Sequence, residues 1–399
     1  MSKESCIIST RKQPKNTEVV IKSYSSFKEV PKEDWDQVSQ NGSVFLNSAY
    51  VSALELSKSK TFSLTFYIGY DKEAVIGIAI TQQILVDKHL LEGTKLPCNI
   101  NEKIKKMLLQ KLETQITLCG NIFATGPFGY EAIEETWIQP FISGLLKFLL
   151  HLNEVRNIKE SQKPSFLLFK EFYTDQISKQ PLQSYKFRSV SIDQVMIMHV
   201  SKDWKNFDDY IAALRTKFRS RVKKTFQKSE KIRVVDLDAA TIIAYQKEME
   251  KLYNEVLDKA DYKLGRLSLK SVIDFKQQLS DSFICTGFFL EERMVGFTAA
   301  FLNKDTLETQ HIGLDYQMNK SFQLYQRMLY EYVKTAIMYK KRKINFGRTA
   351  ETIKSSVGAK PVAMHLYIRH FNSLSNTIVS PLINLIQPNE FELRSPFKK

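Results

Sequence analysis

One histidine of this chain stands where it could serve as a general base. His311 lies in the strand-like run from Glu308 to Ile312, shortly before a helix expected to begin near Ser321. Because the pKa of histidine lies close to neutral pH, its imidazole can accept a proton under those conditions. The alternative is a structural histidine with satisfied hydrogen bonds. The remaining histidines show no HExxH or other metal-ligand spacing, and we expect no metal site.

A basic stretch in the second half of the chain is the most unusual local feature. Between Arg215 and Arg233 there are nine Lys and Arg residues and one acidic residue, Glu230. Apolar residues recur there at spacings of three and four, which predicts one long helix over residues 203–231 with an apolar face on the core. The cations must then crowd on the opposite face, where they repel one another unless an anion offsets them.

We predict that this face contacts an anion, with Arg215, Arg219 and Lys223 as contacting residues. The partner would be a phosphate group or an anionic membrane surface, and the alternative is an ordinary solvated helix. Phe218 and Phe226 lie on the apolar stripe rather than among the cations, so they are not placed to stack on bases. This placement disfavours sequence-specific binding of nucleic acid.

The whole chain is basic. Its 399 residues carry 58 Lys and Arg against 43 Asp and Glu, a net charge of +15 at pH 7. An excess of this size favours an anionic partner, such as a nucleic acid, an anionic membrane face, an acidic carrier protein or a phosphorylated co-substrate. No GxSxG, GxxxxGK[ST] or GxGxxG motif is present, which argues against common serine hydrolases, P-loop ATPases and Rossmann oxidoreductases.

Four widely separated cysteines point to a reducing compartment. Cys6, Cys98, Cys119 and Cys285 form no CxxC pair, and we interpret them as free, mostly buried thiols. The first residues lack the apolar core of a signal peptide, and no stretch reaches the roughly 20 apolar residues of a transmembrane helix. We therefore expect a cytoplasmic protein, with peripheral contact at the inner face of the membrane left open.

Two stretches of the chain share one pattern, which indicates a duplicated unit. Residues 62–80 and residues 283–301 each read as an apolar strand, a short polar turn and a second apolar strand. Helical sequence precedes each hairpin and another strand follows it. We predict a mixed α/β protein with an N-terminal domain over residues 1–185, a C-terminal domain over residues 186–372 that carries the active site, and a tail over residues 373–399.

The C-terminal part carries a resemblance to a known family. After a helix over residues 321–338 come a strand, the turn Asn345-Phe346-Gly347-Arg348, then Lys354 and the pair Gly358-Ala359. This arrangement resembles the FemAB-like, or BioF-like, branch of the GNAT acyltransferases, and the basic stretch is similar to that family's LRxKxRxxIKK helix. The resemblance covers roughly residues 32–372 and is strong over residues 204–231 and 308–369. It implies two tandem GNAT-like domains.

The resemblance also implies transfer of an acyl or aminoacyl group onto an amine. GNAT-like folds place their catalytic cleft where two central strands part, which would put His311 where it can take a proton from the amine. Tyr316 or Tyr325 would protonate the leaving group. The residues expected to bind donor or acceptor are Arg348, Lys354, Ser321 and Gln323.

The resemblance leaves the identity of the donor undecided. In the wider family it is acyl-CoA, an acyl carrier protein or aminoacyl-tRNA. The GNAT pyrophosphate loop, [RQ]xxGx[GA], should lie at residues 317–324, but the sequence there, QMNKSFQL, has no glycine. Backbone amides at a helix start can still bind phosphate. The departure puts a standard CoA site in question and favours a carrier-borne donor.

We therefore expect an N-acyltransferase that uses a thioester, acyl-CoA or an acyl carrier protein, as co-substrate and holds no tightly bound cofactor. The acceptor would be an amine of a cell-envelope or lipid precursor. One alternative is an aminoacyl-tRNA-dependent Fem-type peptidyltransferase, although the long helical insertion typical of those enzymes is missing from the sequence. The other is a non-catalytic GNAT-like scaffold that binds an anionic membrane surface through the basic helix, with the apolar residues 378–386 in support.

Overall fold

The computed structural model describes residues 18–59, 62–86, 114–155, 163–174, 182, 184–259, 266–377 and 391–398. The apolar stretch 378–386, His89, Cys6 and Cys98 lie outside these ranges. The described strands are β1 (Val19–Tyr24), β2 (Phe62–Asp71), β3 (Ala74–Val86), β4 (Thr114–Cys119), β5 (Tyr130–Ala132), β6 (Pro164–Tyr173), β7 (Arg188–His199), β8 (Ile232–Asp236), β9 (Phe283–Leu290), β10 (Arg293–Asn303), β11 (Thr306–Leu314), β12 (Lys343–Asn345) and β13 (Lys360–His370). The described α-helices are α1 (Lys32–Ser39), α2 (Ser48–Glu55), α3 (Ile138–Val155), α4 (Phe207–Ala213), α5 (Thr216–Lys228), α6 (Ala239–Ala244), α7 (Gln246–Asp258), α8 (Leu269–Leu279), α9 (Tyr316–Phe322), α10 (Leu324–Met338) and α11 (Glu351–Ser355).

The strands form one continuous mixed sheet. Its order is β1-β2-β3-β4-β6-β13-β7-β12-β11-β10-β9-β8, with the short β5 attached to β3. The pairs β4–β6 and β11–β12 are parallel, and the other neighbours are antiparallel. Each parallel pair follows a hairpin, β2–β3 in the first half and β9–β10 in the second. The two predicted hairpins are therefore confirmed as equivalent parts of a repeated unit.

A late strand of the second half joins the first half where the two halves meet. β7 pairs with β12 of the second half, while β13, late in the chain, pairs with β6 of the first half. β7 and β13 also pair with each other, which joins both halves into the same sheet. The predicted domain boundary at residue 185 falls between β6 and β7. It stays a prediction, because the described strands run as one hydrogen-bonded sheet across it.

Helices cover both faces of the sheet in the second half. Successive residues of a strand point to opposite faces. Ile284 of β9 joins the apolar cluster under α4, α5 and α10, whereas its neighbour Cys285 joins the cluster under α7 and α8. The latter cluster reaches the first half, where Tyr50 of α2 stacks on Phe275 of α8 with ring centroids 4.8 Å apart. Within the described part of the chain, no helix is long and apolar enough to cross a membrane.

The basic helix predicted over residues 203–231 is wrong in one respect, since the chain breaks it into α4 and α5. Leu214 and Arg215 lie between them in extended backbone, with ψ angles of 150° and 152°. Residues 391–398 cross the chain at this point: the Arg215 backbone N–H donates to the Pro396 carbonyl at 2.8 Å, and Phe397 forms a β-bridge with Leu214. The helix predicted over residues 321–338 is likewise divided, at Gln323, into α9 and α10.

Candidate active site

A cavity of about 600 Å³ opens where β11 and β12 part. The two strands pair only from Thr306–Lys343 to Glu308–Asn345, after which β11 continues to Leu314 while the chain beyond Asn345 turns away. The walls come from β11, α7, α9, α10, α11, the turn after β12 and a segment of the first half that follows β4. The ionisable residues in these walls are Asp193, Tyr253, Lys259, His311, Tyr316, Tyr325, Tyr332, Arg348 and Lys354.

His311 lines the cavity from the middle of β11. Its Nδ1 lies 3.4 Å from the hydroxyl oxygen of Tyr253, and its ring meets those of Tyr253 and Phe123 edge to face. Burial among these groups lowers the pKa of His311 to about 4, because the charged form loses its hydration. The imidazole is therefore neutral at neutral pH and can accept a hydrogen bond, but it is a weak base.

Tyr316 and Tyr325 line the same cavity from the starts of α9 and α10. Burial raises the pKa of both phenols, and the nearby Glu255 adds to the effect at Tyr316. The ammonium group of Lys259 lies over the Tyr316 ring, 3.4 Å from the ring centroid, in a cation–π contact. Both hydroxyls therefore stay protonated at neutral pH and are able to donate hydrogen bonds or protons into the cavity.

Lys354 is a buried lysine in the cavity wall, with only 4% of its surface exposed. Its Nζ donates a hydrogen bond of 2.6 Å to the backbone carbonyl of Arg348. Burial lowers the pKa of Lys354 to about 7; Glu351 opposes this shift and the Arg348 cation adds to it. At neutral pH the amine therefore exists in both protonation states, so it can accept a proton or present a positive charge.

Arg348 reaches from the cavity wall to a buried carboxylate of the first half. Its Nη2 lies 3.1 Å from Oε1 of Glu171, an ion pair without hydrogen-bond alignment, and the Glu171 Oε2 accepts from Lys170 Nζ at 2.6 Å and from the Gly126 N–H at 2.9 Å. Burial alone would raise the pKa of Glu171, but Arg348, Lys170 and the amide outweigh it and hold the pKa below its usual value. The predicted site residues did not include Glu171. The sequence feature that could have revealed it is the pair of adjacent opposite charges, Lys170 and Glu171, inside the apolar strand β6.

Ser321 and Gln323 do not line the cavity. Ser321 is exposed on α9, and Gln323 joins α9 to α10 in the left-handed conformation, its Oε1 accepting a hydrogen bond of 2.7 Å from Thr225 of α5. A short helix thus occupies the position expected for the glycine loop. Asp315 caps the start of α9 and Asn319 accepts from the Tyr325 N–H at 2.9 Å. These side chains accept hydrogen bonds from backbone amides that could otherwise donate to a pyrophosphate.

The cations Arg215, Arg219 and Lys223 lie at or on α5 and do not line the cavity. The Arg215 Nε donates to the Phe397 carbonyl at 2.9 Å, and the Arg219 Nη2 donates to Thr216 at 3.1 Å. No carboxylate among the described residues forms an ion pair with residues 215–231. Their role as anion contacts stays a prediction.

Two further groups of residues bear on the chemistry. Cys119 and Cys285 are free and buried, as predicted, and burial raises the pKa of both thiols, to about 12 for Cys285. Neither is therefore a ready nucleophile. Among the described residues, no group of three His, Cys, Asp or Glu side chains could hold a metal ion.

Comparison with solved structures gives likenesses of fold over nearly the whole chain. FemX is 10% identical, over 91% of this chain and 100% of its own, with a TM-score of 0.55. L-PGS from Bacillus licheniformis is 10% identical, over 89% of this chain and 97% of its own, with a TM-score of 0.50. A tandem GNAT protein from the clavulanic acid biosynthesis pathway is 8% identical, over 89% and 99%, with a TM-score of 0.49. No protein-family model and no curated protein matches the sequence.

At these identities the likenesses establish the fold and leave the activity open. Two repeated units, each with a hairpin followed by a parallel pair, form the tandem GNAT-like architecture that the sequence predicted. The predicted resemblance is confirmed as a likeness of fold to FemX and L-PGS.

Proposed function

We propose that the protein transfers an acyl or aminoacyl group from an activated donor to an amine. The observation that carries this proposal is the cavity at the parting of β11 and β12, where His311, Tyr316, Tyr325 and Lys354 converge. An amine needs to lose a proton as it attacks a carbonyl, and the leaving group needs to gain one. The cavity offers both kinds of group in its walls.

Lys354 is the better-matched general base of this set. A base works best when its pKa lies near the working pH, and the pKa of Lys354 is about 7 whereas that of His311 is about 4. In the proposed reaction the amine nitrogen forms a bond to the donor carbonyl carbon and gives its proton to Lys354. Neutral His311 orients the amine as a hydrogen-bond acceptor. This revises the first expectation, in which His311 was the base.

The remaining steps use the strand and the tyrosines. Backbone N–H groups of β11 beyond its last pair with β12 would stabilise the tetrahedral oxyanion. Collapse of that intermediate breaks the bond to the leaving thiolate or alkoxide, which would take up the proton that Lys354 accepted, relayed through the hydroxyl of Tyr316 or Tyr325, so that lysine and tyrosine return to their starting states. Arg348, fixed by Glu171, would hold an anionic group of donor or acceptor.

A carrier-borne donor fits this site better than free acyl-CoA. Asp315 and Asn319 already accept hydrogen bonds from backbone amides around α9 and α10, which leaves fewer of these amides for a pyrophosphate. We therefore favour an acyl carrier protein over acyl-CoA as thioester donor, with an amine of a cell-envelope or lipid precursor as acceptor. Aminoacyl-tRNA is the second candidate donor, favoured by the likeness of fold to FemX and L-PGS.

The test begins with mass spectrometry of ligands that co-purify with the full chain, followed by assays of acyl-CoA, acyl carrier protein and aminoacyl-tRNA consumption with an amine library. Lys354→Gln should lower kcat/KM by about 100-fold or more and remove the limb of the pH profile near pH 7. Lys320→Gln, an exposed lysine of α9, is the matched control and should change neither.

Three outcomes would contradict parts of the proposal. If Lys354→Gln keeps its activity while His311→Ala loses it, the base is His311. If both variants turn over normally, this cavity is not the active site. If no donor is consumed and the chain binds anionic vesicles in a way that Lys217→Glu/Lys224→Glu abolishes, the non-catalytic scaffold with α5 as its binding surface is the better account.

A further inference from the structure

Two turns of the second half lie against each other at one end of the sheet. One turn connects α10 to β12 and the other connects β10 to β11. Lys341 Nζ donates to the Lys304 carbonyl at 2.7 Å, and the Arg342 N–H donates to the Asp305 carbonyl at 2.7 Å. The turns therefore form one continuous surface, which we call the basic turn surface: Met338, Tyr339, Lys340, Lys341, Arg342, Lys343 and Lys304.

The basic turn surface carries five cations and little compensating charge. Lys340 and Arg342 are exposed, and the Lys304 side chain is 57% exposed. The carboxylates in contact with it are Asp305, 3.7 Å from Lys343, and Glu131, 3.5 Å from Lys304. Five cations less two carboxylates leave a local charge of +3. Solvent-exposed ion pairs of this kind hold their partners weakly, so the cations remain available to an external anion.

Two apolar side chains stand exposed beside these cations. Met338 is 62% exposed and Tyr339 is 38% exposed, both at the end of α10 and directly before Lys340. The rest of α10 buries its large apolar side chains against the sheet, including Val333 and Ile337. An exposed methionine and tyrosine next to a group of lysines is the arrangement by which peripheral proteins enter the interface of an anionic bilayer.

We propose that the basic turn surface docks the protein on an anionic lipid bilayer, with the cations on the headgroups and Met338 and Tyr339 inserted between them. Nucleic acid would engage the cations and stack on Tyr339 but would gain nothing from the more exposed Met338, so the methionine favours a bilayer. The cations of α5 differ in this respect, because the apolar side chains of that helix, Phe218 and Val222, are buried in the core. That helix therefore offers charge alone.

The position of the basic turn surface separates this docking from the cavity chemistry. The surface lies where the parallel strands β11 and β12 begin, whereas the cavity is lined by Thr309–Leu314 of β11 and by the chain after β12. Docking thus leaves the cavity residues uncovered. The inference does not rest on the proposed acyl transfer, and either can fail without the other.

Sedimentation of the full chain with vesicles tests the proposal. Phosphatidylcholine vesicles containing about 30% phosphatidylglycerol should bind the protein, and pure phosphatidylcholine vesicles should not. Each cation near such a surface strengthens binding about fivefold, so the double variant Lys340→Glu/Arg342→Glu should bind at least about 25-fold more weakly. Met338→Ser should weaken binding several-fold without altering its dependence on salt.

The matched control is Lys217→Glu/Lys224→Glu, which makes the same charge change on the exposed face of α5. It should retain binding within about threefold, since only long-range attraction is altered. Equal losses in the two double variants, or no loss in Met338→Ser, would overturn the proposal in favour of unspecific charge attraction. Absence of vesicle binding together with tight binding to an RNA oligonucleotide would overturn it in favour of nucleic acid. Lys354→Met should bind vesicles as the wild type does, which keeps this result separate from the catalytic test.

Discussion

Replacement of Glu171 by glutamine should destabilise the protein by removing the one carboxylate from a buried group of charges. Glu171 has no exposed surface and lies between Lys170, which is 7% exposed, and Arg348, whose carbonyl in turn accepts from Lys354. Its backbone adopts the left-handed conformation, with φ of 58°, at the point where β6 bulges opposite β13. Such a conformation costs a non-glycine residue about 1 kcal/mol, so the ion pairs must offset it.

The size of the effect follows from what the variant leaves behind. Breaking a buried ion pair by removing one partner typically costs about 3–5 kcal/mol, because the other charge stays buried without compensation. Lys170 limits this loss of stability, because its amine can lose its charge by releasing a proton. Burial already lowers its pKa to about 8 although Glu171 opposes the shift, and without Glu171 the amine would release its proton near neutral pH. We therefore expect Glu171→Gln to reduce the free energy of unfolding by about 3 kcal/mol at pH 7.

Guanidinium denaturation at several pH values measures this loss. The folded pKa of Glu171 lies below its unfolded value, so the carboxylate stabilises the fold above the unfolded pKa, and this contribution disappears as pH falls through the folded pKa. The difference between wild type and variant should thus persist from pH 7 to pH 5 and shrink in stronger acid. Glu250→Gln is the control, since its exposed pair with Arg266 is worth at most about 1 kcal/mol. A loss at Glu171 no larger than that of the control would refute the reasoning.

Two further substitutions probe other buried positions by the same denaturation assay. Burial raises the pKa of Glu308 to about 8, so the folded state binds more protons than the unfolded state between about pH 4.5 and 8 and the wild type loses stability across that window. Glu308→Gln should therefore match the wild type at pH 5 and exceed it by roughly 2–4 kcal/mol at pH 8; parallel pH profiles would contradict this. Gly358 has φ of 113°, and a Cβ there would lie 2.4 Å from the Phe397 ring. Gly358→Ala should cost about 1–3 kcal/mol, and an unchanged midpoint would contradict both the backbone strain and the contact with Phe397.

The sequence predicted which strands and helices exist better than it predicted which of them pair or pack together. The hairpins and β11 follow from the local pattern of apolar residues, and β11, at Thr306–Leu314, contains the strand-like run predicted from Glu308 to Ile312. The break between α4 and α5 could not be predicted from the local sequence, because the apolar spacing continues through Leu214 and the cause, Phe397, lies at the far end of the chain. The pairing of β13 with β6 of the first half could not be predicted for the same reason, because periodicity shows that a strand exists but not which strand it pairs with.

The candidate site was predicted in part, and its limits have physical causes. His311, Tyr316, Tyr325, Arg348 and Lys354 share one cavity because the order of elements, which the family resemblance supplied, brings the ends of β11 and β12 together with α10. Their ionisation could not be predicted, since the pKa of a buried group depends on neighbours from distant parts of the chain. Ser321 and Gln323 were predicted as binding residues because a glycine loop was expected at residues 317–324. The structure has helix α9 at that position instead.

The two parallel pairs end differently, and the cavity lies at the second pair. In the first unit β4 ends at Cys119, its last pair with β6, and β6 is the strand that continues, to Tyr173. In the second unit the pairing ends at Glu308 and Asn345, and β11 is the strand that continues, to Leu314, paired on its other edge with β10. The first unit instead contributes the segment after β4, which lines the cavity with Phe123, and the carboxylate of Glu171, which anchors Arg348. Because β13 also joins the two units into one sheet, the first unit is a structural part of the cavity.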